Sequence, residues 1–306
     1  MILALLVVML LVLPAVLVGG VWAGRHGSRA EWLLAVLATT SYLLYMVLAG
    51  RWDYFSYALR IIVPVALVIA IARSWPKVQQ RPWMRRPRFR EMPGLVVMML
   101  LLAAFTYTDA QALSGYTYRG EALRLAFPLR AGVYYVGGGG ANRFINNHQA
   151  YPPQAYALDI LRLNAWGARA RGINPAELTR YAIFGDTVFA PCSGPVLVAV
   201  DGLPDIPIGE RDKAHLAGNH VVLGCEGAKV VLAHLLRGSV QVRGGEQVRT
   251  GQVLGRIGNS GNTSEPHLHI HVERGGEPAG ILTGVGVPAL YDGRFRVRNS
   301  LVWRRR

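Results

Sequence analysis

Three histidines alternate with apolar residues near the end of the chain, in the hexapeptide Pro266-His-Leu-His-Ile-His271. On a β-strand the side chains of residues i, i+2 and i+4 share one face, so this pattern places His267, His269 and His271 side by side. A strand with a purely structural role has little reason to collect three titratable rings on one face. The spacing therefore indicates a metal site or an acid–base site.

A lone carboxylate, Asp159, lies in the apolar run Tyr156–Ile160. Its structural alternative is a helix or turn cap, but burial of an unpaired acid is costly and favours a metal or a strong donor as partner. A catalytic zinc takes three protein ligands from histidine and carboxylate and leaves a fourth position for water. Asp159 and the histidine strand supply groups of this kind.

The elements that must position these groups are short strands separated by glycine turns, within the 194 residues of 113–306. The predicted strands are Thr187–Ala190, Pro195–Val200, His220–Leu223, Lys229–His234, Ser239–Val242, Gln252–Ile257 and His267–Val272. One helix is predicted at Asn174–Ile183, with Asn174 as N-cap and Pro175 at the first helical position. The segment Val136–Pro153, which contains four consecutive glycines, is predicted to be a functional loop.

Both cysteines of the chain, Cys192 and Cys225, lie in this half. In an extracytoplasmic domain they are expected to pair and to tie two β elements together; the alternative is two buried free thiols. Their spacing is not that of a CxxC site, which argues against a redox or metal role.

The first 112 residues have a different composition and predict a multi-pass transmembrane domain. Four long apolar stretches, each able to cross about 30 Å of hydrocarbon, follow one another. They are Met1–Gly24, the run between Glu31 and Arg51, Tyr54–Ala72 and Met92–Thr108. A cleaved signal peptide is the alternative for the first, but that stretch lacks a basic start and an evident cleavage site. Buried helices of a soluble protein rarely give several such runs in succession.

The orientation of these helices follows from the segment Arg73–Arg90, which carries seven basic residues and no acid. By the positive-inside rule this segment is cytoplasmic, so the fourth helix leads residues 113–306 to the outside. Binding of nucleic acid by the same arginines is an alternative, but the position between two spans accounts for the charge without a ligand.

The composition agrees with this division. The chain is 52% hydrophobic and carries a formal net charge of +15, which excludes a disordered protein and favours an anionic partner. Eleven basic and four acidic residues give +7 for residues 1–112, and 22 basic and 14 acidic residues give +8 for residues 113–306. Half of the basicity is thus attributed to membrane orientation, and the remainder suits an anionic wall or membrane surface and requires no nucleic acid.

Five ordered blocks resemble the lysostaphin-type, or LytM-like, zinc metallopeptidases. The blocks are GDTVFAPCSGPV from Gly185, GNHVVL from Gly218, VLAHL from Val231, GQVLGRIGNSGN from Gly251 and PHLHI from Pro266. The resemblance covers a core of about residues 133–272 and none of the membrane helices. It implies a mainly-β, antiparallel-sheet metallopeptidase domain over residues 113–306, behind an α-helical transmembrane bundle over residues 1–112.

The resemblance also implies one Zn²⁺ per chain and a role for each matched residue. His269 and Asp159 correspond to zinc ligands, and His267 and His234 to catalytic imidazoles. The family usually has a further ligand, a histidine, four residues before the aspartate, where this chain has Ala155. Family members with a longer loop resemble the present arrangement, so the ligand role passes to His148, eleven residues before Asp159.

Four other residues near these blocks are assigned lesser roles. His220 and Glu265 are candidates for orienting the first set, with a core histidine and an ordinary turn acid as their alternatives. His215 and His271 are predicted to be structural or solvated.

The implied function is hydrolysis of peptide bonds in bacterial peptidoglycan by a water that zinc activates. The implied location is the bacterial cytoplasmic (inner) membrane, with the catalytic domain on the extracytoplasmic, periplasmic side. The expected partners are peptidoglycan or another peptide substrate and the lipid bilayer; the oligomeric state stays open. Two alternatives remain: an inactive domain that binds or activates another wall hydrolase, and an envelope protease acting on a protein.

Overall fold

The computed structural model describes residues 2–304, so Met1 and Arg306, at the ends of the predicted domains, lie outside the described residues. The chain divides into two compact units. The first comprises residues 1–52 and 56–113, and the second comprises residues 53–55 and 114–306.

The first unit consists of apolar helices. Their bounds are α1 (Ile2–Val7), α2 (Leu13–Ala23), α3 (Arg29–Ala49), α4 (Leu59–Val78) and α5 (Met92–Ser114), with a π-helical turn at Val8–Val12 that joins α1 to α2. Within the described residues, four helical segments are long and apolar enough to cross a membrane: Leu3–Ala23, Arg29–Ala49, Leu59–Val78 and Phe89–Ser114. The prediction of four long apolar helices is confirmed.

The third of these segments begins later than predicted. A 3₁₀ turn at Trp52–Tyr54 precedes it, and the helix starts at Leu59 and continues to Val78. Arg60 lies in its first turn, where its Nε donates to the carbonyl of Val47 at 2.8 Å and its Nη1 to the Tyr57 hydroxyl at 2.6 Å. Because the Arg60 guanidinium has two hydrogen-bond acceptors at the end of the helix, this otherwise apolar helix can accommodate it.

One end of the first unit collects most of its basic residues. The amides of Arg29 and Ala30 donate to the carbonyls of Pro82 and Trp83, each at 3.0 Å. Arg85 forms an ion pair with Glu31 at 3.1 Å. The turn between α2 and α3 and the basic segment between α4 and α5 are therefore at the same end of the first unit.

The second unit is built on a nine-stranded antiparallel sheet, in agreement with the predicted mainly-β domain. Its strands are β2 (Gly132–Gly138), β3 (Leu158–Leu163), β5 (Gly194–Val200), β6 (Asn219–Cys225), β7 (Ala228–Leu235), β8 (Gln247–Val248), β10 (Leu268–Arg274), β11 (Val285–Gly286) and β14 (Leu301–Arg304). The main path of the sheet runs β14-β2-β3-β10-β7-β6-β5-β8, and β11 pairs with β10.

Two small sheets complete this unit. One contains β1 (Leu123–Leu125), β12 (Ala289–Tyr291) and β13 (Arg294–Phe295), and the other β4 (Thr187–Phe189) and β9 (Val253–Arg256). The three central strands β10, β7 and β6 contribute fully buried apolar residues such as Ile270, Leu232 and Val221 to one core. The histidines of β10 therefore stand on a strand that runs through this core.

Two predicted elements are wrong. The segment 174–183 contains a 3₁₀ turn at Leu178–Arg180 in place of the predicted helix. Asn174 does not act as a helix cap. Its Oδ1 accepts hydrogen bonds from Arg169 and the Tyr181 hydroxyl, both at 3.4 Å, and an isolated antiparallel bridge joins Ala170 to Tyr181. These contacts hold the segment in a folded-back loop.

The segment 239–242 is not a strand. The carboxylate of Asp201 accepts hydrogen bonds from the amides of Gly238 and Val240, which holds the chain in a turn at the start of the segment. The predicted loop 136–153 is also shorter than expected, because its first residues, Val136 to Gly138, belong to β2.

Candidate metal centre

The candidate centre is built on three adjacent strands. In the sheet register His269 of β10 lies directly opposite Asp159 of β3 on one side and opposite Ala233 of β7 on the other. Directly opposed residues of an antiparallel pair project from the same face, so the register brings the carboxylate to the imidazole. His234 follows Ala233 at the end of β7, with a left-handed backbone (φ +65°) that departs from strand geometry.

Asp159 is in contact with three imidazoles. Its Oδ1 lies 3.0 Å from Nδ1 of His269 and 3.4 Å from Nε2 of His267, and its Oδ2 lies 2.9 Å from Nε2 of His148. All four side chains are mostly buried. The structure thus brings together residues that are 11 and 110 positions apart in the chain.

His148 reaches the cluster through a well-organised loop. It lies in a 3₁₀ turn, Asn147–Ala150, that begins after Asn146. The Asn146 side chain is fully buried; its oxygen accepts from the His148 amide at 3.1 Å, and its Nδ2 donates to carbonyls on both sides of the loop. The loop therefore places the His148 imidazole against Asp159, whereas the position four residues before Asp159 is occupied by Ala155.

His234 and His267 flank His269 and face one another, with ring centroids 4.9 Å apart. Nδ1 of His234 lies 2.8 Å from the carbonyl of Ser260, and Nδ1 of His267 lies 2.8 Å from the carbonyl of Glu265. Because a carbonyl only accepts, each Nδ1 must carry a hydrogen. The Nε2 of each ring is then directed into the site.

Burial and neighbouring charges shift the pKa values of these groups in different directions. Burial alone would raise the pKa of Asp159, but the charges and hydrogen bonds of His148 and His267 hold that pKa well below its ordinary value. Burial would lower the pKa of His267, but Asp159 raises it above its ordinary value. Burial lowers the pKa of His269 to about 4 and that of His234 well below its ordinary value.

The cluster lines a groove of about 620 Å³. Other lining residues include Tyr151, Gln154, Arg211, Leu216, Ile281 and Leu282. The groove therefore combines apolar walls with polar and cationic groups.

Four further predicted residues lie outside the cluster. His220 is on β6, and its Nδ1 donates to the Gly218 carbonyl at 2.7 Å; no contact among the described residues joins it to the other histidines. The carboxylate of Glu265 accepts from the buried Arg169 guanidinium, so Glu265 orients His267 through its backbone carbonyl instead. Cys192 and Cys225 form a disulfide with Cα atoms 6.2 Å apart.

Two contributions to the site went unrecognised in the sequence. His271, assigned above to a structural or solvated role, is buried in the groove wall with Nδ1 only 3.0 Å from Nε2 of His269. Its shared strand face was the signal that pointed to it. Lys229 and Glu273 form a buried ion pair that holds the loop carrying Leu282. No local sequence pattern indicates that these two residues pair.

The comparison with known protein families decides the assignment of this unit. The model of peptidase family M23 matches residues 179–280. The second unit contains an M23 peptidase domain. The matched residues include His234, His267 and His269, whereas His148 and Asp159 precede them.

Solved structures similar to the M23 domain include a zinc-containing peptidase from Vibrio cholerae, at 28% identity over 30% of this chain and 24% of that chain, with a TM-score of 0.24. A mutant catalytic domain of a prophage-encoded M23 protein from Enterococcus faecalis is 24% identical over 34% of this chain and 73% of that chain, with a TM-score of 0.21. Lysostaphin is 19% identical over 42% of this chain and 40% of that chain, with a TM-score of 0.27.

The donor set of the second unit fits zinc. Among the described residues, two overlapping groups each bring three donor atoms within 4.8 Å of one another: His148, Asp159 and His269, and His234, His267 and His269. Two imidazole nitrogens and a carboxylate oxygen are the ligands that catalytic zinc accepts in a three-plus-one arrangement. The first group provides that combination.

Proposed function

We propose that this chain is a membrane-anchored zinc metalloendopeptidase that hydrolyses peptide bonds of bacterial peptidoglycan. The observation that supports this most directly is the contact of Asp159 with His148 and His269 in one groove of the unit that contains the M23 match. In this proposal those three residues hold one Zn²⁺. Zinc, when bound, supplies an activated water and stabilises negative charge on the substrate carbonyl.

His234 and His267 act on protons and charge in this proposal. Their Nδ1 atoms are held by the carbonyls of Ser260 and Glu265, so neither ring is free to rotate. In this proposal each Nε2 accepts a proton or donates a hydrogen bond to a substrate oxygen, and Nε2 of His267 also lies 3.4 Å from Oδ1 of Asp159. Groups positioned in this way contribute about 10²–10⁴-fold to a hydrolysis rate.

The proposed location is the cytoplasmic membrane, with the M23 domain on the outer side. The basic segment between α4 and α5 supports a cytoplasmic position for that end of the first unit. The Cys192–Cys225 disulfide supports an oxidising compartment for the second unit. A charge of +8 on residues 113–306 suits an anionic cell wall.

Digestion of isolated peptidoglycan tests the proposal. Full-length chain, purified in detergent, is expected to contain one zinc per chain and to release new amino termini from wall material. His269→Ala, at the residue shared by both donor groups, is the inactive control. No release from the wall alongside cleavage of an envelope protein would contradict the substrate assignment, and a chain without zinc at neutral pH that cleaves neither would indicate a binding module.

A further inference from the structure

The side chain of His271 extends the candidate centre beyond the ligands. His271 follows His269 by two residues on β10 and projects from the same face of the strand. Its Nδ1 lies 3.0 Å from Nε2 of His269, and the two ring centroids are 5.2 Å apart. The opposite side of the His269 ring, at Nδ1, faces Asp159.

This geometry determines which nitrogen of His269 is available to a metal. A histidine ligand is neutral and binds through the nitrogen that carries no hydrogen. Since Nδ1 faces the other donor groups, ligation through Nδ1 requires the hydrogen of His269 to be on Nε2. That hydrogen points at Nδ1 of His271, which must then act as an acceptor and carry its own hydrogen on Nε2.

The remaining nitrogen of His271 gives a second, independent observation. The side chain is 3% exposed, and its Nε2 is buried with no hydrogen-bond partner among the described residues. A buried unpaired N–H lowers the stability of a fold, and an apolar side chain of similar size would avoid that loss. Packing alone therefore does not account for a histidine at this position.

We infer that His271 is a positioning residue for zinc: it accepts the Nε2 hydrogen of His269 and so fixes the tautomer and ring orientation with which His269 binds the metal. The inference rests on the proposed function, because it requires His269 to be a ligand. Partners of this kind typically change metal affinity by about 10–100-fold.

Zinc affinity, measured without any substrate, tests the inference. Metal-depleted full-length protein in detergent is titrated with zinc against a chelator of known affinity. His271→Leu, which keeps the volume and removes the acceptor, is expected to bind zinc about 10–100-fold more weakly than the unaltered chain. His271→Asn is expected to restore most of the affinity, because its side-chain oxygen lies near the position of Nδ1.

Two further measurements separate positioning from folding. Thermal unfolding of the metal-free proteins is expected to show His271→Leu no less stable than the unaltered chain, since the unpaired N–H is removed. The absorption spectrum of the cobalt-substituted protein is expected to change in His271→Leu and to recover in His271→Asn. His215→Asn, at an exposed histidine that pairs with Asp212, is the matched control and is expected to leave both readouts unchanged.

The outcomes distinguish the inference from the proposed function. Zinc binding by the unaltered chain with equal affinity in His271→Leu would overturn the inference and leave the proposed function intact. Equal weakening in His271→Leu and His271→Asn would also overturn it, because an acceptor at this position would then have no effect. Absence of zinc binding in the unaltered chain would overturn both.

Discussion

Asp159 and His269 form a directly opposed cross-strand pair, with Oδ1 of Asp159 3.0 Å from Nδ1 of His269. The pair joins β3 to β10, and Asp159 brings His148 into the same contact through its second oxygen. The site therefore depends on a single register of two strands. A slip of one residue would turn the two side chains to opposite faces of the sheet.

The first prediction concerns the charge of this pair. Asp159→Asn keeps the shape of the side chain and removes its negative charge, so zinc affinity is expected to fall by at least about 10²-fold. This loss is larger than that expected for a residue that only positions a ligand, such as His271. Zinc retained after dialysis, measured by elemental analysis, checks this. Asp212→Asn is the control, since Asp212 pairs with the exposed His215 and belongs to neither donor group. Full zinc content in Asp159→Asn would remove Asp159 from the ligand set.

Replacement of His148 and of His267 is predicted to separate ligands from catalytic groups. His148→Ala is expected to lose zinc, because it removes one of three donors in the first group. His267→Gln is expected to retain zinc and to lose about 10²–10⁴-fold in kcat, because its Nε2 serves the reaction. Metal content and kcat measured on the same preparations check both. Zinc lost in His267→Gln and retained in His148→Ala would mean that zinc occupies the second group, which consists of His234, His267 and His269.

Much of the site could be predicted from local spacing, and the part that could not depends on register and long-range contacts. The period of two in residues 266–271 indicated that His267, His269 and His271 share a face. Nothing local to Asp159 indicates that it pairs with a strand 110 residues later. The resemblance of ordered blocks supplied that link.

The errors in secondary structure have the same physical origin. Asn174 and Pro175 form a good helix start, but the Arg169 guanidinium and the Tyr181 hydroxyl take up the Asn174 side chain. Tertiary hydrogen bonds then outweigh a local preference of about 1 kcal/mol. The segment 239–242 is likewise kept from forming a strand, because the Asp201 carboxylate accepts hydrogen bonds from the amides of Gly238 and Val240.

A glycine next to His234 yields the third prediction. Gly218 has φ +58°, and a Cβ built on it would lie 2.3 Å from the carbonyl carbon and oxygen of Ser260. That oxygen accepts the Nδ1 hydrogen of His234, so Gly218→Ala is expected to displace His234 and lower kcat with little change in zinc content. Gly227→Ala is the control, because its φ is also positive and nothing lies within 4 Å of its Cβ. Equal kcat in both variants would contradict the coupling.

The fourth prediction concerns the loop that carries Ile281 and Leu282 into the groove. Nζ of Lys229 donates to the carbonyls of Glu277 and Gly280 at 2.8 and 2.6 Å. Glu273, 3.4 Å from that nitrogen, accepts from the amides of Leu282 and Gly284. One buried ion pair therefore holds both ends of this wall.

Lys229→Met removes one partner of that pair and leaves a buried carboxylate, which costs about 3–5 kcal/mol of stability. A fall in Tm of roughly 10 °C is expected, with a raised KM for wall peptides because the groove wall loosens. Arg274→Met, at an exposed pair with Glu121, is the control and should cost less than about 1 kcal/mol. Unchanged KM in a folded Lys229→Met protein would exclude this loop from substrate binding.

The last prediction uses the disulfide to test both stability and location. Cys192 and Cys225 are 33 residues apart, and closing a loop of that length stabilises a fold by about 3–4 kcal/mol. Replacement of both by serine is expected to lower the Tm by roughly 10 °C, and a reductant should lower the Tm of the unaltered chain but not that of the double variant. In intact cells both thiols are expected to resist alkylation until a reductant is added, because the domain is proposed to lie in an oxidising compartment. Free thiols in untreated cells would place the M23 domain on the cytoplasmic side and reverse the proposed orientation of the four helices.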